Sequence, residues 1–85
     1  MEVMKMLIKD AIVIRMQDIC RERHMRYNEL ATRAGVTPST VYSMMDASRR
    51  DLSVITLKKL FDGLDMTISE FFEDDLFRNL EQEIR

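Results

Sequence analysis

Apolar residues recur at helical spacing along most of this chain and divide it into five segments. Ile12, Met16, Ile19 and Cys20 fall at i, i+4, i+7 and i+8, one stripe of an amphipathic helix, while Arg15, Asp18 and Glu22 lie off it. Val13 and Ile14 widen that surface, and Asp10 stands where an N-cap would. A first helix is therefore expected from about Asp10 to about Arg23. A second begins near Tyr27, with Leu30, Ala31 and Ala34 on one face; Arg26 fills its cap position poorly, although Glu29 favours the helix start. Gly35 follows where a helix stops, because only glycine takes the left-handed conformation without a Cβ clash. Thr37 then offers an N-cap oxygen and Pro38 fits the first helical position, so a third helix runs to Met45. It turns Val41, Met44 and Met45 inward and Ser39, Thr40, Tyr42 and Ser43 outward.

A polar connection, residues 46–51, leads to Ser53, the N-cap of a fourth helix with Leu57, Leu60, Phe61 and Leu64 in line and Gly63 at its end. Thr67-Ile68-Ser69-Glu70 is a capping box that opens a fifth helix carrying Phe71 and Phe72. Leu76, Phe77, Leu80 and Ile84 prolong a helical stripe through an acidic tail. The expected architecture is all-α and single-domain: a compact five-helix core over about residues 10–73 and a C-terminal helical tail over residues 74–85. Met1–Ile8 leaves two readings, an extension of the first helix or a strand pairing with another copy.

Composition agrees with brief turns between helices, since the 85 residues include only two Gly and one Pro. The lone cysteine, Cys20, forms no internal disulfide and reads as a small buried apolar residue in a reducing compartment. Met1–Ile8 is too short and too charged for a secretory signal, and no run reaches transmembrane length, so a cytoplasmic protein is expected. The net charge of −2 is unevenly spread. Residues 15–50 hold seven Arg against four acids, a net of +3, whereas residues 51–85 hold four bases against nine acids, a net of −5. The basic share coincides with the second and third helices, and the acidic end should face away from nucleic acid.

Helix, glycine turn, helix with a polar outer face is the geometry of a helix-turn-helix reader of DNA. Small hydroxyls and a phenol on the third helix suit phosphates and base edges better than the Glu, Lys and Gln of an idle solvated face. An αα-corner built for packing alone would also use Ala, Gly and an N-cap, so this stretch by itself leaves both readings open.

The chain resembles the Cro and lambda-repressor type of helix-turn-helix family, also called xenobiotic-response-element-like. The elements that carry the resemblance are RMQDICRERHM, ELATRAGVTPSTVYSMM and TLKKLFDGLDMTISEFF, in order across about residues 11–72. The resemblance implies that the second helix crosses the phosphate backbone and the third enters the major groove. Base-edge readers would be Pro38, Ser39, Thr40 and Ser43, with Thr37 and Tyr42 nearby; Arg26, Tyr27, Ser48, Arg49 and Arg50 would hold the backbone. There are departures. Glutamines common in the family are here Tyr27 and Pro38, and proline replaces a bidentate adenine contact with at most an apolar one to a thymine methyl. The usual Asn-Gly after the third helix is Asp46-Ala47, a corner that alanine would strain in a left-handed conformation. A buried Arg–Glu pair of many members is here Cys20 and Met45, apolar together, and these two are expected to touch.

Other chemistry is thin. His24 reads as a helix-end cap, the eight methionines as core filler, and Glu73, Asp74 and Asp75 as a cluster without a coordinating loop. No nucleophile–base pair or glycine-rich phosphate loop appears, so no enzyme, metal or cofactor is expected. The partners expected are double-stranded DNA and a second copy, through a tail stripe of Phe72, Leu76, Phe77, Leu80 and Ile84. The reading is a dimeric repressor on a palindromic operator. Its rivals are an antitoxin-like module whose tail binds a protein partner, and a helical interaction module without DNA binding.

Overall fold

The computed structural model describes residues 6–84 and holds five α-helices: α1 Ile8–Glu22, α2 Tyr27–Ala34, α3 Pro38–Met45, α4 Val54–Gly63 and α5 Ile68–Phe72. A 3₁₀ turn, Asp75–Phe77, follows. The expected caps hold at α3, α4 and α5: Thr37, Ser53 and Thr67 each accept from the backbone N–H three residues on, and Glu70 completes the capping box. Helix α1 departs from expectation. It starts at Ile8 with Leu7 in the cap position, and Asp10 sits inside the first turn, where its carboxylate still favours the helix N-terminus.

Helices α1, α2 and α4 end alike. His24, Gly35 and Asp65 take the left-handed conformation, with φ of 54°, 71° and 55°. In each case the next residue donates back across the turn: Met25 to Cys20, Val36 to Ala31 and Met66 to Phe61. This is the Schellman arrangement, and each following residue is an apolar one that packs on the core. Gly63 therefore does not supply the turn that the sequence suggested. It lies inside α4, and a Cβ there would come within 3.0 Å of the Ala34 backbone nitrogen. Its role is the close crossing of α2 and α4.

The core gathers one face of every helix. Met16, Leu30, Val41, Leu60, Phe61, Leu64 and Phe71 are its largest fully buried side chains. Cys20 belongs to the same cluster, and Met45, at the end of α3, packs against the cluster as a partly buried neighbour. Phe61 and Phe71 stack at 4.3 Å between ring centroids, with Phe72 edge-on to both and Phe77 edge-on to Phe72.

The tail is not the continuous helix that its apolar spacing predicted. Asp74 is extended and its carboxylate accepts from the Leu76 N–H at 3.0 Å, starting a new turn. On an unbroken helix Phe72 and Phe77 would point to different sides; the break lets both rings meet, 4.8 Å apart, against the core. Beyond it the chain runs back to the start of α1. Leu80 bridges Met6 in parallel, and the Glu81 N–H donates to the Met6 carbonyl at 3.0 Å. The stripe expected to bind a second copy is thus divided: Phe72 and Phe77 serve their own core, Leu76 and Leu80 are half-buried, and Ile84 is exposed. Of the Met1–Ile8 segment, Ile8 opens α1 and Met6 pairs with the tail of its own chain; residues 1–5 lie outside the described part.

Candidate nucleic-acid interface

Pro38 and the Thr37 cap fix the direction in which α3 leaves the turn, and Val41 and Met44 anchor it in the core. Its outer residues follow from that register. Pro38, Ser39 and Tyr42 are exposed, while Thr40 and Ser43 are half-buried. The hydroxyl of Thr37 lies 3.0 Å from that of Ser39 and 2.9 Å from that of Thr40, so three hydroxyls are linked at the start of the helix.

Two clefts border α3. The first, about 360 Å³, is lined by Met25, Arg26, Tyr27, Asn28 and Tyr42. Tyr27 and Tyr42 meet edge-to-face at 5.4 Å, which ties the start of α2 to the outer side of α3. Partial burial pushes the Tyr27 phenol above its ordinary range, so it remains a neutral donor. The second cleft, about 150 Å³, brings Thr40 and Ser43 together with Arg49, Ser53 and Thr56. Ser53 and Thr56 were not singled out from the sequence, because capping accounted for Ser53 and nothing marked Thr56.

The loop after α3 is rebuilt around Asp46. No alanine strain arises, because Ala47 is not left-handed. Instead the Asp46 carboxylate accepts from the Ser48 N–H at 2.9 Å and from its hydroxyl at 2.7 Å, and these bonds hold it below the usual carboxylate range. Ser48 and Arg49 stay exposed. Arg50 is placed otherwise: it turns to α1 and forms two bonds to the Asp10 carboxylate, at 2.9 and 3.0 Å. That guanidinium lowers the Asp10 pKa, and Asp10, expected as a helix cap, is in fact its ion-pair partner.

The arginine surplus is also less available than its position along the chain implied. Arg15 donates to the carbonyls of Phe71 and Glu70, Arg23 to that of Leu64, and Arg21 and Arg33 pair with carboxylates. Among the described residues, Arg26 alone of the seven makes no ion pair or hydrogen bond, and Arg49 reaches Asp46 only at 4.0 Å. Arg26 and Arg49 each line a cleft beside α3.

A family profile described as the Cro/C1-type HTH DNA-binding domain matches residues 15–75. The chain belongs to the Cro/C1-type helix-turn-helix family. Among solved structures, this Cro/C1-type domain is similar to the wild-type restriction-modification controller protein C.Esp1396I, with a TM-score of 0.71 and 20% identity over 84% of this chain and 90% of that one. A tyrosine-to-phenylalanine variant of the same controller gives a TM-score of 0.73 at 20% identity, covering 88% and 92%. A tyrosine-to-alanine variant gives 0.69 at 22%, covering 76% and 83%. At such identity these likenesses establish the shared all-α fold. No curated relative matches the chain. Family membership makes the chain a DNA-binding domain of the Cro/C1 type.

Proposed function

We propose that this protein is a sequence-specific repressor that binds a palindromic operator as a homodimer, with α3 of each copy in the major groove. The observation that carries the reading is the surface around α3: linked hydroxyls on Thr37, Ser39 and Thr40, and a cleft on each border holding Arg26 or Arg49. Ser39, Thr40 and Ser43 read base edges, Pro38 meets a thymine methyl, and Thr37 and Tyr42 stand beside them. Arg26, Tyr27, Ser48 and Arg49 hold phosphates; Arg50 joins them only by releasing Asp10. The protein binds and does not catalyse, works in the cytoplasm, and represses by excluding polymerase from the bound site. The solved neighbours, forms of a restriction-modification controller protein, favour gene control of this kind.

One such domain reads one half-site, so a second copy is expected. With the tail stripe divided, the surface that fits it best is the start of α4, where Val54 is 76% and Ile55 66% exposed. They stand beside a cavity of about 420 Å³ lined by Ile8, Ile12, Leu57 and Phe72. A tail that grips a foreign protein finds less support, because Phe72 and Phe77 are engaged at home. Selection of genomic fragments followed by footprinting tests the reading. Two inverted half-sites about one helical turn apart are expected. A single protected half-site, or a wild-type monomer in sedimentation under the same conditions, would refute the dimer; Val54→Asp/Ile55→Asp should convert the dimer to monomer.

A further inference from the structure

We propose that Lys9 is a positioning residue for the DNA-facing loop Asp46–Arg50, acting on it from the buried side of the molecule. The proposal rests on the DNA-binding reading above. Lys9 is the one charged side chain among the described residues that is buried, at 3% exposure. Such burial is unusual for lysine unless its ammonium is fully partnered. Here it is: Nζ donates to the Asp46 carbonyl at 3.0 Å and to the Arg49 carbonyl at 2.6 Å. One cation thus grips the first residue of the loop and the residue just before its end, and sits where the carbonyl-rich end of α3 favours positive charge.

The rest of the loop is built on that grip. The Arg49 N–H closes a turn onto the Asp46 carbonyl at 3.1 Å, and Ser48 is held by the Asp46 side chain. Asp10, the neighbour of Lys9 on α1, takes Arg50, which also donates to the Ala47 carbonyl at 3.0 Å. Consecutive residues of the first turn of α1 therefore set both the backbone and the far end of the loop. What the loop presents outward is Ser48 and Arg49, the latter 65% exposed beside Thr40 and Ser43. A loop already ordered in this shape loses less freedom when it meets a phosphate.

The test compares wild type with Lys9→Met, which keeps the apolar stem and removes the donors, after circular dichroism has verified the helices. Hydrogen exchange on the free protein should accelerate about tenfold or more at the Ser48 and Arg49 amides, with α2 amides unmoved. Affinity for a fluorescent DNA duplex should fall by roughly ten- to a hundredfold. A double-mutant cycle separates positioning from general support: Arg49→Ala should weaken binding much less in the Lys9→Met background than in wild type. Arg15→Met removes a comparable structural cation from the middle of α1, bonded to α5 and not to the loop, and its effect should simply add to that of Arg49→Ala. If Lys9→Met does not fold, Lys9→Gln carries the same comparisons. Unchanged exchange at Ser48 and Arg49 in a folded variant, or full additivity with Arg49→Ala, would overturn the proposal. Failure of the wild type to bind DNA would instead sink the DNA reading, with exchange still deciding whether Lys9 holds the loop.

Discussion

At His24 and Asp65 an L-residue holds a left-handed backbone that glycine adopts without cost. Asp65→Gly should therefore raise stability by up to about 1 kcal/mol, and Gly35→Ala should lower it by a similar amount. For a domain of this size that is a shift of roughly 4–8 °C in the thermal midpoint. Gly63→Ala should destabilise for a different reason: its Cβ meets the Ala34 backbone, which cannot move without parting α2 from α4. Gly35 was legible because a glycine followed a helical stripe, whereas nothing in a polar His24 or Asp65 announces a positive φ. Lys9 did leave a signal, since it stands in register with Ile12, Met16 and Ile19 on the buried stripe, and a charge there needs a partner. The Asp10–Arg50 pair left none, because forty residues of chain separate its members. Asp10, Asp46 and Glu70 are all held below their unfolded pKa, by Arg50, by Ser48 and by Thr67. Their contribution is complete above the unfolded carboxylate range, about pH 4, and is lost as pH falls through the lower folded values. Thermal midpoints should be level from neutral pH down to that range and drop below it; a midpoint that rises on acidification would contradict these assignments.

Among the elements, α5 has the least support of its own: five residues, held by a capping box at one end and by Arg15 on the Glu70 and Phe71 carbonyls at the other. Thr67→Ala should cost about 1 kcal/mol. The loss should show first as faster amide exchange around Phe71, the buried hub of the aromatic cluster, before the remaining helices respond. A uniform rise across all helices would mean that α5 does not open separately. The starts of α3, α4 and α5 were readable because caps, a proline and stripes agreed on them, and that of α2 from its apolar face and Glu29 without a cap. The tail was misread because apolar spacing alone cannot register that Asp74 caps a new turn, or that ring packing favours breaking the helix. The dimer stripe placed on that tail lost its common face with it.

For the whole molecule, the sequence matched the Cro/C1-type domain across residues 15–75, and family and fold follow from it. The charge distribution was a poorer guide. Most of the arginine surplus is used on carbonyls and carboxylates of the chain itself, which only the tertiary structure discloses. In the proposed complex Arg26 and Arg49 are the phosphate-facing cations of each copy. Two copies then release about four counterions, for a slope of log affinity against log salt near −4. The decisive measurement is that salt series, by fluorescence anisotropy on a selected operator, for wild type, Arg26→Ala, Arg49→Ala and Arg50→Ala. Arg49→Ala should make the slope shallower by about 1 per copy, while Arg50→Ala, which breaks the pair to Asp10, should lower the thermal midpoint and leave the slope nearly unchanged. No binding at low salt, or a slope that neither substitution of Arg26 nor of Arg49 alters, would contradict the claim that this face meets DNA.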